Sequence, residues 1–334
     1  MGWWGRTLVE AVADASNAIQ FVAGATRTQS DEVKDFAKQH NLRLLASFEE
    51  MLDDDAVEAV VLATPHSKHV EQVVAAAGRG KHVYCEKPFA LTKSGAEEAV
   101  AATQAAGVTL GLGYNRRWHP EMTALREKID SGELGVVLHV EATMTFPNAL
   151  LLKADAWRAN REETPCGGLT PMGVHVIDGM IDLCGPIDEV YCQSFRRAVE
   201  IDSDDTTSIL LRMKDGMSGY LGTMTATGGG FSFQVYGSKG FVRLEGKTHT
   251  AGASSEERRT QLFGTCTFKP TKGPAETWQA KQLDIVRTTL EAFGRACTGE
   301  ETFLIPTSEM IHGAAVTEAI INSAAAHQIT KVEQ

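Results

Sequence analysis

The first third of the chain repeats one pattern, and that pattern most constrains the fold: a short continuous apolar run, a turn, then a stretch with helical spacing. The apolar runs at residues 20–25, 59–63, 82–85 and 108–114 read as strands, and residues 30–40, 48–52, 68–79 and 93–106 read as the helices between them. Strands that are apolar throughout, rather than at alternate positions, are covered on both faces. Alternation of such strands with helices predicts βαβ units and a parallel sheet.

At the amino terminus, Met1-Gly2-Trp3-Trp4-Gly5-Arg6 leads into a helical stretch at residues 6–15. Gly2 and Gly5 have the spacing of the second and third glycines of the G-x-G-x-x-G turn, which lets a backbone approach a pyrophosphate at a helix N-terminus. A full fingerprint needs one more glycine and an apolar strand ahead of it. The expectation is therefore a Gly-Met-Gly-Trp-Trp-Gly run with Met1 as its second residue, from a gene that starts further upstream. Four or five apolar side chains of a central strand contribute about 6 to 15 kcal/mol at roughly 1.5 to 3 kcal/mol each. That is comparable with the whole stability of a domain, about 5 to 15 kcal/mol. A chain starting at Met1 is thus expected to fold its nucleotide domain poorly unless another segment fills the gap.

After Pro120 the pattern changes. A helix at 122–131 ends at Gly132, and strand-like runs follow at 136–145, 189–196, 206–213, 217–225, 232–236 and 240–244, with turn dipeptides such as Asp215-Gly216 and Lys239-Gly240 between them. This predicts a mostly antiparallel sheet. Residues 252–273, rich in Gly, Ser, Thr and charge, read as a loop, and helices at 277–298 and 307–325 close the chain. The expected organisation is α/β plus α+β: a dinucleotide-binding domain over residues 1–118 and a second domain over 119–334.

Composition removes several function classes. The 334 residues carry a net charge of -11, which opposes binding to a phosphate backbone, so no nucleic-acid partner is expected. No apolar run approaches a membrane span and the first residues lack the features of a signal peptide, so the expected compartment is the cytoplasm. The six cysteines include no C-x-x-C pair, and no metal site is expected.

Four segments carry chemistry. Thr26 and Arg27 follow the run 20–25, where an NAD-specific unit places an acid on the ribose hydroxyls. A hydroxyl and a guanidinium suit a 2′-phosphate instead, so NADP is the expected cofactor, with NAD as the alternative. Ala63-Thr64-Pro65-His66-Ser67-Lys68-His69 passes from a strand end into a helix, where backbone lines a nucleotide crevice. Glu86-Lys87-Pro88 is delivered by an apolar strand to the carboxyl edge of the sheet. There Lys87, beside a cationic nicotinamide, is expected to have a lowered pKa and to exchange a proton with a substrate hydroxyl or carbonyl. Farther on, His175 lies in Gly173-Val174-His175-Val176-Ile177-Asp178.

The segment from Gly5 onward, Thr64-Pro65 with His69, Glu86-Lys87-Pro88, Gly113-Tyr114-Asn115-Arg116-Arg117, Trp157-Arg158, and Gly167-Gly168 leading to His175 and Asp178 together resemble the Gfo/Idh/MocA oxidoreductases, in order and over nearly the whole chain. The resemblance implies a Rossmann domain followed by an open sheet, with substrate held against NAD(P) between them. It implies hydride transfer to or from a sugar or polyol, with Lys87 assisting proton transfer and His175 on the reacting oxygen. It also implies cofactor contacts from Gly2, Trp3, Trp4, Thr26, Arg27, Ala63, Thr64, Pro65, His69, Glu86, Lys87, Asn115, Trp157 and Arg158, substrate contacts from Lys87, Arg116 and His175, and assembly as a homodimer or homotetramer. One departure is Pro171, which stands where many members carry an Asp four residues before the histidine. The alternative is a non-catalytic nucleotide- or sugar-binding sensor on the same fold. Asp178 is expected to be structural.

Overall fold

The computed structural model describes residues 1–248 and 253–333. The amino-terminal part runs α1 (Trp3–Val12), β1 (Ala23–Ala25), α2 (Asp31–Gln39), β2 (Arg43–Leu45), α3 (Phe48–Asp53), β3 (Ala59–Leu62), α4 (His69–Ala77), β4 (His82–Cys85), α5 (Lys93–Ala106) and β5 (Leu110–Leu112). Local chemistry sets the helix ends. Ser30, Ser47 and Thr92 each accept a backbone N–H of the first turn of α2, α3 and α5, and Gly107 closes α5 in the left-handed region at φ 66°.

All strand pairs here are parallel, as the apolar runs predict, yet they form two separate sheets: β1 with β2, and β3-β4-β5. Among the described residues no strand lies between β1 and β3. β2 was absent from the expected strands, because Arg43 leaves only two apolar residues in it.

The second part consists of α6 (Pro120–Asp130), β6 (Val137–Thr145), α7 (Gly173–Cys184), β7 (Ile187–Phe195), β8 (Thr206–Met213), β9 (Ser218–Met224), β10 (Gly230–Gly237), β11 (Gly240–Gly246), α8 (Ser255–Thr260), β12 (Phe263–Pro270), β13 (Glu276–Gln279), α9 (Ile285–Cys297), α10 (Thr307–Ala326) and β14 (Thr330–Lys331). Nine strands form one sheet in the order β13-β12-β11-β10-β6-β9-β8-β7-β14, antiparallel except for β6 with β9. α7 packs on its buried face, while α9 and α10 return to pack on α1 and α5.

Two expectations fail in this half. The stretch expected to be a loop, whose residue 252 lies outside the described residues, contains α8, closed by a Ser254/Glu257 capping box, and β12, which buries Phe263, Cys266 and Phe268. The helix expected from residue 277 begins only at Ile285, where Asp284 caps it. Residues 276–279 are instead an edge strand on β12, where Trp278 packs and donates to Glu121. Sheet pairing overrides the local helical reading of that stretch.

Candidate active site

β4 ends in Glu86 and Lys87 at the carboxyl edge of its sheet, and a cis Lys87–Pro88 bond turns the chain away. Lys87 Nζ reaches into the second half of the protein and donates to the carbonyl of Pro171 at 2.7 Å. Burial lowers the pKa of this ammonium to about 8. Glu86 opposes the shift, and the charges of Arg158 and Arg116 add to it. Pro171 offers a neutral backbone acceptor where a carboxylate would have held the lysine charged.

Glu86 is 5% exposed, and burial raises its pKa. Its carboxylate fits only because Gly113 is opposite: a Cβ on Gly113 would come within 2.7 Å of Glu86 Oε2. The indole of Trp4, on α1, faces the same carboxylate.

His175 lies in the first turn of α7, 7% exposed, with its ring 6.0 Å from that of Tyr114. Burial first, then the charges of Lys87 and Arg116, hold its pKa well below the usual range, so the imidazole is neutral. Its Nδ1 has no hydrogen-bond partner among the described residues. Asn115, Arg116 and Arg117 sit on the 3-10 turn Asn115–Trp118 and are all buried. The two arginines differ sharply. Arg117 is locked on Asp178 at 2.6 and 2.9 Å, on Asp182 at 3.1 Å and on Glu309 at 2.5 Å. Arg116 meets the Met144 sulfur at 3.4 Å and the Phe231 ring at 4.8 Å, and forms no ion pair among the described residues. Burial lowers its pKa to about 9.

The nucleotide side is a cavity of about 1150 Å³ lined by Gly2, Thr26, Arg27, Ala63, Thr64, Pro65 and Trp157, among others. Gly2 caps α1 without a side-chain hydrogen bond, and a Cβ there would meet nothing within 4 Å. The first-turn N–H groups of α1 are therefore free for an anion, which fits a pyrophosphate. Arg27 is exposed, and Thr26 Oγ1 accepts from the Met1 ammonium at 2.7 Å. Trp3 lies outward, 49% exposed, under the guanidinium of Arg258. The guanidinium of Arg158 stacks 4.0 Å over Trp157.

His69 is placed differently from the expected cofactor contact. It is 1% exposed, with Nδ1 on the Pro88 carbonyl at 2.7 Å and Nε2 on the Thr64 carbonyl at 3.1 Å. It ties the two crevice loops together from beneath. His66 likewise bonds the Glu163 carbonyl at 2.7 Å, and the Glu163 carboxylate takes Ser67 Oγ at 2.6 Å. Sequence reasoning missed Glu163, since nothing in residue spacing couples positions 96 and 97 apart. Asp178, expected to be structural, is the main anchor of Arg117.

A crevice on parallel strands with Lys87 at the carboxyl edge of β4, and with His175 of α7 and Arg116 of the 3-10 turn near it, fits an NAD(P)-dependent oxidoreductase. Residues 1–114 match the oxidoreductase family with an NAD-binding Rossmann fold, and residues 122–243 match the GFO/IDH/MocA C-terminal domain. The chain belongs to the Gfo/Idh/MocA family. It is 28% identical over 231 residues to the mouse trans-1,2-dihydrobenzene-1,2-diol dehydrogenase, covering 69% of this chain and 68% of the relative. It is 31% identical over 192 residues to the 1,5-anhydro-D-fructose reductase of Ensifer adhaerens, covering 53% and 55%. A crystal structure from Desulfitobacterium hafniense, assigned as an NADPH-dependent oxidoreductase, superposes with a TM-score of 0.88 at 26% identity over 99% of this chain and 95% of the other.

Proposed function

We propose that the protein moves a hydride between NADP(H) and a CH–OH carbon of a sugar or polyol, with Lys87 as the proton-transfer group and His175 on the reacting oxygen. The observation that carries this reading is the half-buried Lys87 ammonium, which donates to the Pro171 carbonyl and, among the described residues, to no carboxylate. A bound nicotinamide supplies or accepts the hydride. In oxidation, neutral Lys87 accepts the hydroxyl proton as the carbonyl forms. In reduction, its ammonium returns that proton. His175, neutral and with one unpartnered nitrogen, hydrogen-bonds the same oxygen. The sugar or polyol class draws on the relative that reduces an anhydro sugar. The preference for NADP rests on exposed Arg27 beside Thr26, with no acid at that strand end.

Absorbance at the nicotinamide band, read with a panel of sugars and polyols, tests the reading. Lys87→Ala should lose roughly a hundredfold or more in turnover, in line with the usual worth of general acid–base catalysis, while titration still shows NADPH binding. Near-normal turnover in this variant removes Lys87 from the chemistry.

We also propose that the outer face of the nine-stranded sheet is covered by a second copy. Leu138 is 54% exposed, Leu210 57% and Phe195 45%, an apolar surface that a monomer rarely leaves in water. Sedimentation should give a dimer or tetramer; a monomer overturns this assignment.

A further inference from the structure

Residues 157–164 form a short strap that its own sequence braces. Trp157–Ala159 make a 3-10 turn, and the buried Thr164 hydroxyl is shared between the carbonyls of Arg158 at 3.1 Å and Asn160 at 2.9 Å. Asn160 Oδ1 accepts the N–H of Glu162 at 2.9 Å. On one side the strap is tied to the second half of the protein: Arg161 pairs with the buried carboxylate of Asp204 at 2.9 Å, and Asn160 bridges to Asp202. On the other side Glu163 ties it to the loop that leads from β3 into α4. Its carbonyl accepts from His66 Nδ1 at 2.7 Å, and its carboxylate accepts from Ser67 Oγ at 2.6 Å and from the Ser67 N–H at 3.3 Å. Trp157 and Arg158 stand between these anchors. The Trp157 ring meets His66 edge-on at 5.0 Å, carries the Arg158 guanidinium at 4.0 Å, and lines the nucleotide cavity with Thr64 and Pro65. The charge of Arg158 acts on Glu86 and Lys87, which puts this end of the cavity beside Lys87.

We propose that Glu163 is a positioning residue for the reaction above: it clasps the strap to the β3–α4 loop and so holds Trp157 and Arg158 against the nicotinamide half of a bound NADP(H). The role rests on that reaction, because Lys87 marks the nicotinamide half. The carboxylate is the part of the clasp that decides. It takes both the hydroxyl and the N–H of Ser67, and hydrogen bonds to an ionised acceptor are roughly twice as strong as neutral ones. Without it the strap keeps Arg161 on Asp204, but its hydrogen bonding across the crevice shrinks, among the described residues, to His66 on a backbone carbonyl. Trp157 and Arg158 then gain freedom that cofactor binding has to remove, and that cost appears as weaker affinity. The adenosine half would be held at Thr26 and Arg27 after β1, by groups the strap does not supply. Glu163 acts through His66 and Ser67 and on one half of the cofactor.

Binding read by calorimetry, without turnover, tests this with two probes: NADPH, and 2′-phospho-ADP-ribose, which lacks the nicotinamide. Glu163→Ala should weaken NADPH about tenfold, the lower end of what a hydrogen bond to a charged group contributes, and leave 2′-phospho-ADP-ribose unchanged. Glu163→Gln keeps an acceptor for Ser67 and should stay within a few-fold of the parent. Ser67→Ala should weaken NADPH less than Glu163→Ala does, and should add nothing to it in the double variant, because the two side chains form one clasp. Equal loss of both probes, or a fully additive double variant, would make the contact merely structural and overturn the proposal. Unchanged NADPH affinity in Glu163→Ala, beside a parent that binds NADPH, overturns the role of Glu163 alone. A parent that binds no NADPH overturns the proposed reaction and this role with it.

Discussion

Replacing Pro171 by Asp puts a carboxylate next to the acceptor of Lys87 Nζ, the residue 171 carbonyl at 2.7 Å. A unit charge about 4 Å from the ammonium is worth roughly 4 kcal/mol at an effective dielectric of about 20. At about 1.36 kcal/mol per pKa unit this is close to 3 units, and the cost of burying the new carboxylate reduces the net rise to about 1 to 2 units. The starting value, about 8, is set by burial and by the balance of Glu86 against Arg158 and Arg116. The sign differs with direction. Oxidation uses the neutral amine, so its rate rises with pH through the lysine pKa, and Pro171→Asp moves that limb upward. At pH 8 the variant should oxidise substrate roughly tenfold more slowly, since a shift of one unit or more leaves about a tenth or less of the lysine neutral. Reduction uses the ammonium, so at pH 9 the variant should be faster than the parent. Pro171→Ala keeps the carbonyl and should leave both limbs in place. The assay is kcat/KM against pH in each direction by nicotinamide absorbance. A limb that stays put in Pro171→Asp, or moves equally in Pro171→Ala, refutes the reasoning.

Arg117→Met should lower stability by about 3 to 5 kcal/mol, because Asp178 is left buried without its cation; a thermal midpoint within a degree of the parent would contradict the anchoring role. Arg27→Ala should raise KM for NADPH roughly ten- to a hundredfold, the worth of a charge-assisted hydrogen bond of about 1.5 to 3 kcal/mol, and leave KM for NADH unchanged; equal effects on both would move the 2′-phosphate away from Arg27. Gly113→Ala should cost about 1 to 3 kcal/mol by overpacking against the Glu86 carboxylate, read as a lower denaturant midpoint.

Features that depend on neighbours in the chain were legible. The helix expected at 93–106 is α5, and the apolar runs expected at 59–63 and 82–85 are β3 and β4. β13 was not legible: four residues at a sheet edge are held by pairing with β12 and by the contact of Trp278 with Glu121. β12 was hidden because Gly264, Thr265 and Thr267 separate its buried Phe263, Cys266 and Phe268. At the candidate site, residue type marked Lys87 and His175. It could not mark the Pro171 acceptor, because a backbone carbonyl is present at every position.

The sequence by itself determined the class of chain: parallel βαβ units, then an antiparallel sheet, with Lys87 placed at a strand's carboxyl end by apolar periodicity alone. Only the tertiary structure decided what that lysine meets, which of two adjacent arginines keeps a free charge, and that His69 holds the crevice loops from beneath. The physical reason is the range of the interactions. Helix caps and hydrophobic periods act over a few residues, whereas Lys87 and Pro171 are 84 positions apart, and Arg117 and Glu309 are 192 apart. Their encounter exists only once both sheets have folded.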